Sequence, residues 1–220
     1  SDVCSSDLPI YKKGDSRDPN NCRGISLLNT MGKLFTIILE QRIRIWLELH
    51  ELLHESQAGF RSDYSTVDNI FILQSLCQKY LRKPKHRFYA AFIDFKKAFD
   101  FVNRDKLLYV LLTKGVHGKM FNVLKSMYEN VSACVRMGNL KTEVFTTSAG
   151  VRQGCILSPV LFIFFINELI DEFKKCGLRG IFVRDGTEDI LLLLFADDVT
   201  LLDDTVVGLQ KKLDVFKNIL

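Results

Sequence analysis

Ile190-Leu191-Leu192-Leu193-Leu194-Phe195-Ala196-Asp197-Asp198-Val199-Thr200-Leu201-Leu202 is the stretch on which the reading of this chain turns. An apolar run from Ile190 leads into Ala196, and a shorter one, Val199 to Leu202, follows Asp198. Two strand-length apolar runs joined by a tight connection predict a β-hairpin. The connection carries two adjacent carboxylates. Like charges side by side resist ionisation unless a cation lies between them, and carboxylate oxygens suit magnesium or manganese. The competing reading is a simple polar loop, and a motif this short decides nothing alone.

A second acidic position comes from Phe88 to Ile93, a short aromatic and apolar run that predicts a buried strand ending at Asp94. Phe95-Lys96-Lys97-Ala98-Phe99-Asp100 then turns more helical. Taken singly, Asp94 reads as a helix N-cap. If its strand neighbours the hairpin in one sheet, Asp94 converges with Asp197 and Asp198. Converging carboxylates can hold two metal ions about 3.5–4 Å apart, the arrangement polymerases and nucleases use for in-line phosphoryl transfer. Lys96 and Lys97 suit nearby phosphates.

The remaining stretches are mostly helical. Apolar residues recur at helical spacing from Thr30 to His50, with Leu34, Phe35, Ile38, Leu39, Ile43, Trp46 and Leu47 on the pattern and Asn29 or Thr30 as cap. Ser65-x-x-Asp68 opens a second helix in a capping-box pattern, and Pro84 stops it. The basic cluster around that stop, Arg82, Lys83, Lys85, His86 and Arg87, reads equally as a solvated helix end or a phosphate contact. Further helices are predicted over Leu107 to Thr113 and from about Lys119 to Asn130. Gly138-Asn139 predicts a hairpin turn between strand-forming arms. Ser158-Pro159 starts a helix over Val160 to Lys175, apolar on nearly every side early on and ended by Gly177. A hairpin turn is predicted near Asp185-Gly186.

Composition narrows the class. A chain of 220 residues with 47% hydrophobic and 25% charged residues is globular, not disordered. A net charge of +4 permits a nucleic-acid partner without demanding one. Six scattered cysteines form no C-x-x-C pair and no zinc spacing, which suits free thiols in a reducing compartment. The longest apolar stretch, Val160 to Ile166, falls far short of the ~18 residues of a membrane span, so no membrane partner is expected. Residues 1–8 resemble the translation of a sequencing-adapter oligonucleotide and are set aside from fold reasoning.

Five blocks, in order, carry a resemblance. Cys22-Arg23-Gly24-Ile25-Ser26-Leu27-Leu28-Asn29 is the first. Gln57-Ala58-Gly59-Phe60-Arg61, with Ser65-Thr66, is the second. Then come Phe92 to Asp100, Gly150 to Pro159, and Phe195-Ala196-Asp197-Asp198, the FADD motif. Together they span nearly all of Asn20 to Leu202 and resemble the reverse transcriptase domain of non-LTR (LINE-type) retrotransposons. One departure is Gly24, where that family often has proline.

The resemblance implies an α+β fold: a right-hand polymerase fragment with residues 9–87 as fingers and 88–220 as palm, its sheet antiparallel, and about 119–149 reaching back to the fingers. The thumb and any endonuclease would lie outside this sequence. It implies Asp94, Asp197 and Asp198 as metal-binding carboxylates for two Mg2+ or Mn2+ ions, with the Phe95 carbonyl assisting. Phe99 would lie under the incoming sugar and exclude a 2′-hydroxyl. Arg61 would grip the triphosphate, and Gln153 and Gly154 would line the nucleotide pocket. The partners implied are an RNA template, a DNA primer and dNTPs, inside the cell in a nuclear or cytoplasmic ribonucleoprotein. The implied reaction is RNA-directed DNA synthesis, expected to be weak or absent in the fragment alone. The rivals are another palm enzyme, such as an RNA-copying RNA polymerase or a nucleotide cyclase, and a non-catalytic retroelement remnant that binds RNA.

Overall fold

The computed structural model describes residues 5–82, 84, 86–183 and 189–219. In chain order the elements begin with β1 (Ser5–Tyr11), a 3-10 turn (Pro19–Asn21), β2 (Cys22–Leu27), α1 (Thr30–Leu49) and α2 (Thr66–Leu81). Next are β3 (Tyr89–Asp94), a 3-10 turn (Ala98–Phe101), α3 (Arg104–Thr113), α4 (Gly118–Glu129), β4 (Val131–Met137), β5 (Leu140–Lys141) and β6 (Phe145–Thr147). The chain ends through α5 (Ser158–Lys175), β7 (Ile181–Phe182), β8 (Asp189–Ile190), β9 (Leu192–Phe195), β10 (Asp198–Asp203) and α6 (Val206–Ile219). The mixture is the expected α+β class. Two compact units result: Ser1–His50 with Lys97–Phe162, and Glu51–Lys96 with Ile163–Leu220.

In the first unit, β1 and β2 form an antiparallel hairpin whose closing pair is Tyr11 and Cys22. β1 also runs parallel to β4, and β4 pairs with β5 and β6. Strand β1 begins inside the set-aside segment, and Asp7 Oδ1 accepts the Ser26 hydroxyl at 2.7 Å. The Gly138-Asn139 turn forms as predicted, with Gly138 at φ +60. Helix α1 starts where expected, capped by Asn29 Oδ1 on the Gly32 N–H at 2.6 Å. Only part of its apolar pattern is core. Leu39, Ile43 and Leu47 are buried, whereas Leu34, Phe35 and Ile38 are about half exposed.

In the second unit, β3, β10 and β9 form a sheet in that order, antiparallel throughout. Helix α6 packs on β10 and β3, and α2 on β9. Leu76, Ile181, Leu193 and Leu202 make one core cluster. Within α5, Ile163, Phe164, Ile166, Leu169, Ile170 and Phe173 are all buried. With Val160, Leu161 and Phe162 also buried, the buried positions at 100° per residue run right round the first half of the helix, as its apolar run predicted. Gly177, at φ +67, ends that helix.

Strand β3 differs from expectation. It is not buried: Phe92 is 72% exposed and Asp94 faces solvent. The exposure belongs to one face: Phe92 and Asp94, two residues apart, point to the same open side of the strand, while the alternating Ala91 and Ile93 are half-buried on the other. Strands β7 and β8 pair antiparallel, while the turn predicted at Asp185-Gly186 lies outside the described residues. The far end of β10 is clamped by an ion pair that the sequence did not announce. Lys212 of α6, fully buried, places its ammonium 2.9 Å from the Asp203 carboxylate and donates to the Leu202 carbonyl.

Candidate active site

Asp94 closes β3 and Asp198 opens β10, and the two are direct partners across the antiparallel ladder. Such partners lie on one face with Cα atoms about 4.5–5.5 Å apart. Asp197 precedes Asp198 in the two-residue connection Ala196-Asp197, closed by the Phe195–Asp198 pair. The three acids therefore gather at one end of the sheet. Burial raises the Asp198 carboxyl above its ordinary value, and the charges of Asp197 and Asp94 raise it further. Among the described residues no trio of acidic, imidazole or thiol groups stands closed at metal-ligand spacing. The donors nonetheless suit a hard divalent cation: all are carboxylate oxygens, and their mutual repulsion is relieved by positive charge between them.

The connection has an unusual backbone. Ala196 is a non-glycine residue at φ +56, a region that disfavours a Cβ. A packed segment braces it. The Leu194 N–H donates to Ser56 O at 2.8 Å, and the Ala58 N–H donates to Leu194 O at 3.0 Å. The Asn69 amide also donates to Leu194 O, at 3.0 Å. Gln57, fully buried, accepts the N–H of Gly59 at 2.7 Å and of Ala196 at 3.2 Å on its side-chain oxygen. A Cβ on Gly59 would sit 2.0 Å from the Ala196 nitrogen, so only glycine fits there.

Arg61 lies in the same unit, but its side chain is only 5% exposed. The guanidinium stacks 4.2 Å over the Tyr64 ring and donates to the carbonyls of His54 (3.3 Å) and Gln57 (3.4 Å). To grip a phosphate it would have to exchange these partners. The Phe95 ring packs on Phe216 of α6, centroids 5.6 Å apart.

Phe99, Gln153 and Gly154 lie in the other unit, and there the structure gathers them. The Phe99 ring stacks on Phe162, 4.8 Å between centroids and 11° from parallel. The Phe99 carbonyl accepts the Val151 N–H at 2.8 Å, and the Val102 carbonyl accepts Gly150 N–H at 2.8 Å. The loop carrying Gln153 and Gly154 is thus fastened to the turn carrying Phe99. At its other end, Gln153 O accepts the Ser26 N–H at 2.7 Å. Gly154 adopts φ +103, where a Cβ would meet Ser26 O at 2.9 Å. A cavity of about 450 Å³ opens beside this loop, lined among others by Ser26, Asp100, Arg104, Arg152 and Gln153.

Arg104 is a residue sequence reasoning missed. It is 7% exposed and holds the loop from beneath. Its Nε donates to Gly150 O at 2.8 Å, one terminal nitrogen donates to Thr147 O, and the other to Thr147 Oγ1 at 2.9 Å. Burial lowers its pKa, the Tyr128 beneath it raises it, and Arg152 lowers it again. The signal available was an Arg at the first position of a helix closely following the Phe92–Asp100 block, which reads as surface charge until the loop is placed.

The family model for reverse transcriptase (RNA-dependent DNA polymerase) matches residues 10–220, and the chain belongs to that family. Among curated relatives, the type-1 retrotransposable element R2 polyprotein of Popillia japonica is 30% identical over 95% of this chain and 29% of that protein. The RNA-directed DNA polymerase of the mobile element jockey from Drosophila funebris is 26% identical over 96% of this chain and 23% of that protein. The chain thus spans less than a third of the length of these relatives. Among solved structures, apo telomerase from Candida tropicalis superposes with a TM-score of 0.67 at 18% identity, covering 98% of this chain and 46% of that one. The RNA-dependent RNA polymerase of a human picobirnavirus gives 0.56 at 10% identity, over 96% and 38%. At these identities the structural likeness is one of fold. Among the described residues no helix is long and apolar enough to cross a membrane.

Proposed function

We propose that this chain carries the nucleotide-adding centre of an RNA-directed DNA polymerase, with Asp94, Asp197 and Asp198 holding two Mg2+ or Mn2+ ions. The observation that supports it best is the direct pairing of Asp94 with Asp198, and Asp197 adjoining in the turn, in a member of the reverse transcriptase family. When bound, the ions would lower the pKa of the primer 3′-hydroxyl and neutralise the triphosphate. The chain's own groups do the positioning. The Phe95 carbonyl adds an oxygen donor beside Asp94, the Phe99 ring excludes a 2′-hydroxyl from the incoming sugar, and Gln153 and Gly154 line the nucleotide pocket. Arg61 serves the triphosphate only after releasing its carbonyl partners. By role, residues 9–87 act as fingers and 88–220 as palm. The polymer partners are an RNA template and a DNA primer, held through backbone phosphates, so binding weakens with salt.

The test is Mn2+-dependent binding of a fluorescent dNTP analogue. Binding that needs the cation and is abolished by Asp197→Asn supports this reading. Binding absent in the parent chain, or unchanged by Asp197→Asn, overturns it for this chain.

A further inference from the structure

We propose that Gln57 is a positioning residue for the acidic turn: its side-chain oxygen, by accepting the Ala196 N–H, holds the left-handed residue that aims Asp197 and Asp198. The inference deepens the two-cation reading above and rests on it for its functional meaning.

Three observations carry it. First, Gln57 is fully buried and its oxygen serves two backbone donors, Gly59 two residues on and Ala196 139 residues away. Second, the backbone on both sides is already fixed. Gln57 forms a parallel bridge with Leu194, and Gly59 approaches Ala196 so closely that no Cβ fits between them. The side-chain oxygen is thus delivered to the first residue of the turn, where the chain takes up its strained φ. Third, the other end of the same amide is wasted. Gln57 Nε2 is buried and has no hydrogen-bond partner among the described residues. Burying an unpaired donor is unfavourable. For filling space a methionine of the same length would do better, so the contribution of glutamine here is its acceptor.

A turn residue in the left-handed region relaxes unless its surroundings over-determine it. If Ala196 relaxes, the direction of the next two side chains changes, and a cation held between Asp94 and the pair loses its geometry. Residues that orient metal ligands without touching the metal typically contribute about 10–100-fold in affinity.

The experiment compares the parent chain with Gln57→Met, Gln57→Glu and Asn69→Leu. Gln57→Met removes the acceptor at constant length. Gln57→Glu keeps an acceptor oxygen and replaces the partnerless amino group with a hydroxyl, since burial this complete favours the protonated carboxyl. Asn69→Leu removes a different brace on the same strand, the bond to Leu194 O. Free Mn2+ is followed by electron paramagnetic resonance, the Ala196 amide by hydrogen exchange, and folding by thermal melting. Expected in Gln57→Met are Mn2+ affinity weaker by about tenfold or more and faster exchange at Ala196. Asn69→Leu, melting at a similar temperature, keeps both near the parent values, and Gln57→Glu keeps at least parental affinity. The proposal is overturned if Gln57→Met binds Mn2+ like the parent, or if Asn69→Leu weakens binding equally at the same melting temperature. If the parent binds no Mn2+, the two-cation reading fails alone: faster Ala196 exchange in Gln57→Met but not Asn69→Leu then still upholds Gln57 as the residue that sets the turn, and unchanged exchange rejects it.

Discussion

Asp198 is the residue at which folding and the proposed chemistry pull in opposite directions. Its carboxyl is raised above the ordinary range first by burial, then by the charges of Asp197 and Asp94. The folded chain therefore binds this proton more tightly than the unfolded chain does, and stability falls as pH rises through the carboxylate range. Asp198→Asn removes the repulsion. Without divalent cations it should melt higher than the parent at neutral pH, and the difference should vanish once the solution is acid enough to protonate the parent carboxyl. Thermal melting across pH in a chelator reads this directly; a lower melting temperature for Asp198→Asn at neutral pH counts against the electrostatic account. Phe99 makes a second prediction at this scale. Its ring is held flat against Phe162, so it is a rigid wall. Phe99→Ala should narrow the preference for deoxynucleotides over ribonucleotides in cation-dependent nucleotide binding, whereas a palm enzyme that uses ribonucleotides would show no such preference to lose.

Among the elements, two buried cations fix the joints. Arg104 ties the first turn of α3 to Gly150 and Thr147 through three hydrogen bonds. Arg104→Met leaves those oxygens unpaired, at a cost of order 1–3 kcal/mol each if dry. The adjoining cavity lets water reach them, so the expected total is about 2 kcal/mol in denaturant unfolding, and Arg104→Lys should recover less than half because an ammonium lacks the fork that spans both partners. Lys212 secures β10 to α6. Burial raises the Asp203 carboxyl, but hydrogen bonds from Lys212 and Thr205 outweigh it and hold the pKa low. That stability is present above the unfolded carboxylate pKa and is lost as pH falls through the lower folded one. Lys212→Met should cost about 3 kcal/mol at neutral pH, since it strands a buried carboxylate, and the penalty should shrink in acid. What was legible beforehand follows the same division. Helix ends are local chemistry, so the starts at Asn29 and at Ser65 with Asp68, and the stop at Gly177, were readable. The acids were readable as strand ends because apolar runs bound them on known sides. Strands β1 and β2 were not, because Pro9, Gly24 and a polar loop interrupt any period. Nor were Arg104, Lys212 or Gln57, whose partners lie elsewhere in the chain and whose letters ordinarily denote surface.

At the scale of the whole molecule, a sheet end that repels itself is a poor contribution to folding and a good one to cation binding. The two effects combine through linkage, since an ion that binds only the folded chain stabilises it by an amount set by its concentration over Kd. A hundredfold excess of Mn2+ over Kd is worth about 2.7 kcal/mol, enough to move the melting temperature by several degrees. The parent chain should therefore melt higher in Mn2+ than in chelator, with slower hydrogen exchange through β3, β9 and β10. Asp198→Asn should reverse its rank, standing above the parent in chelator and below it in Mn2+. No purely structural role for the acids produces that crossing: a helix cap or polar loop would shift both melts the same way. If the two curves keep one order with and without the cation, the acids of β3 and β10 are not a shared site, and the proposed function loses its support in this chain.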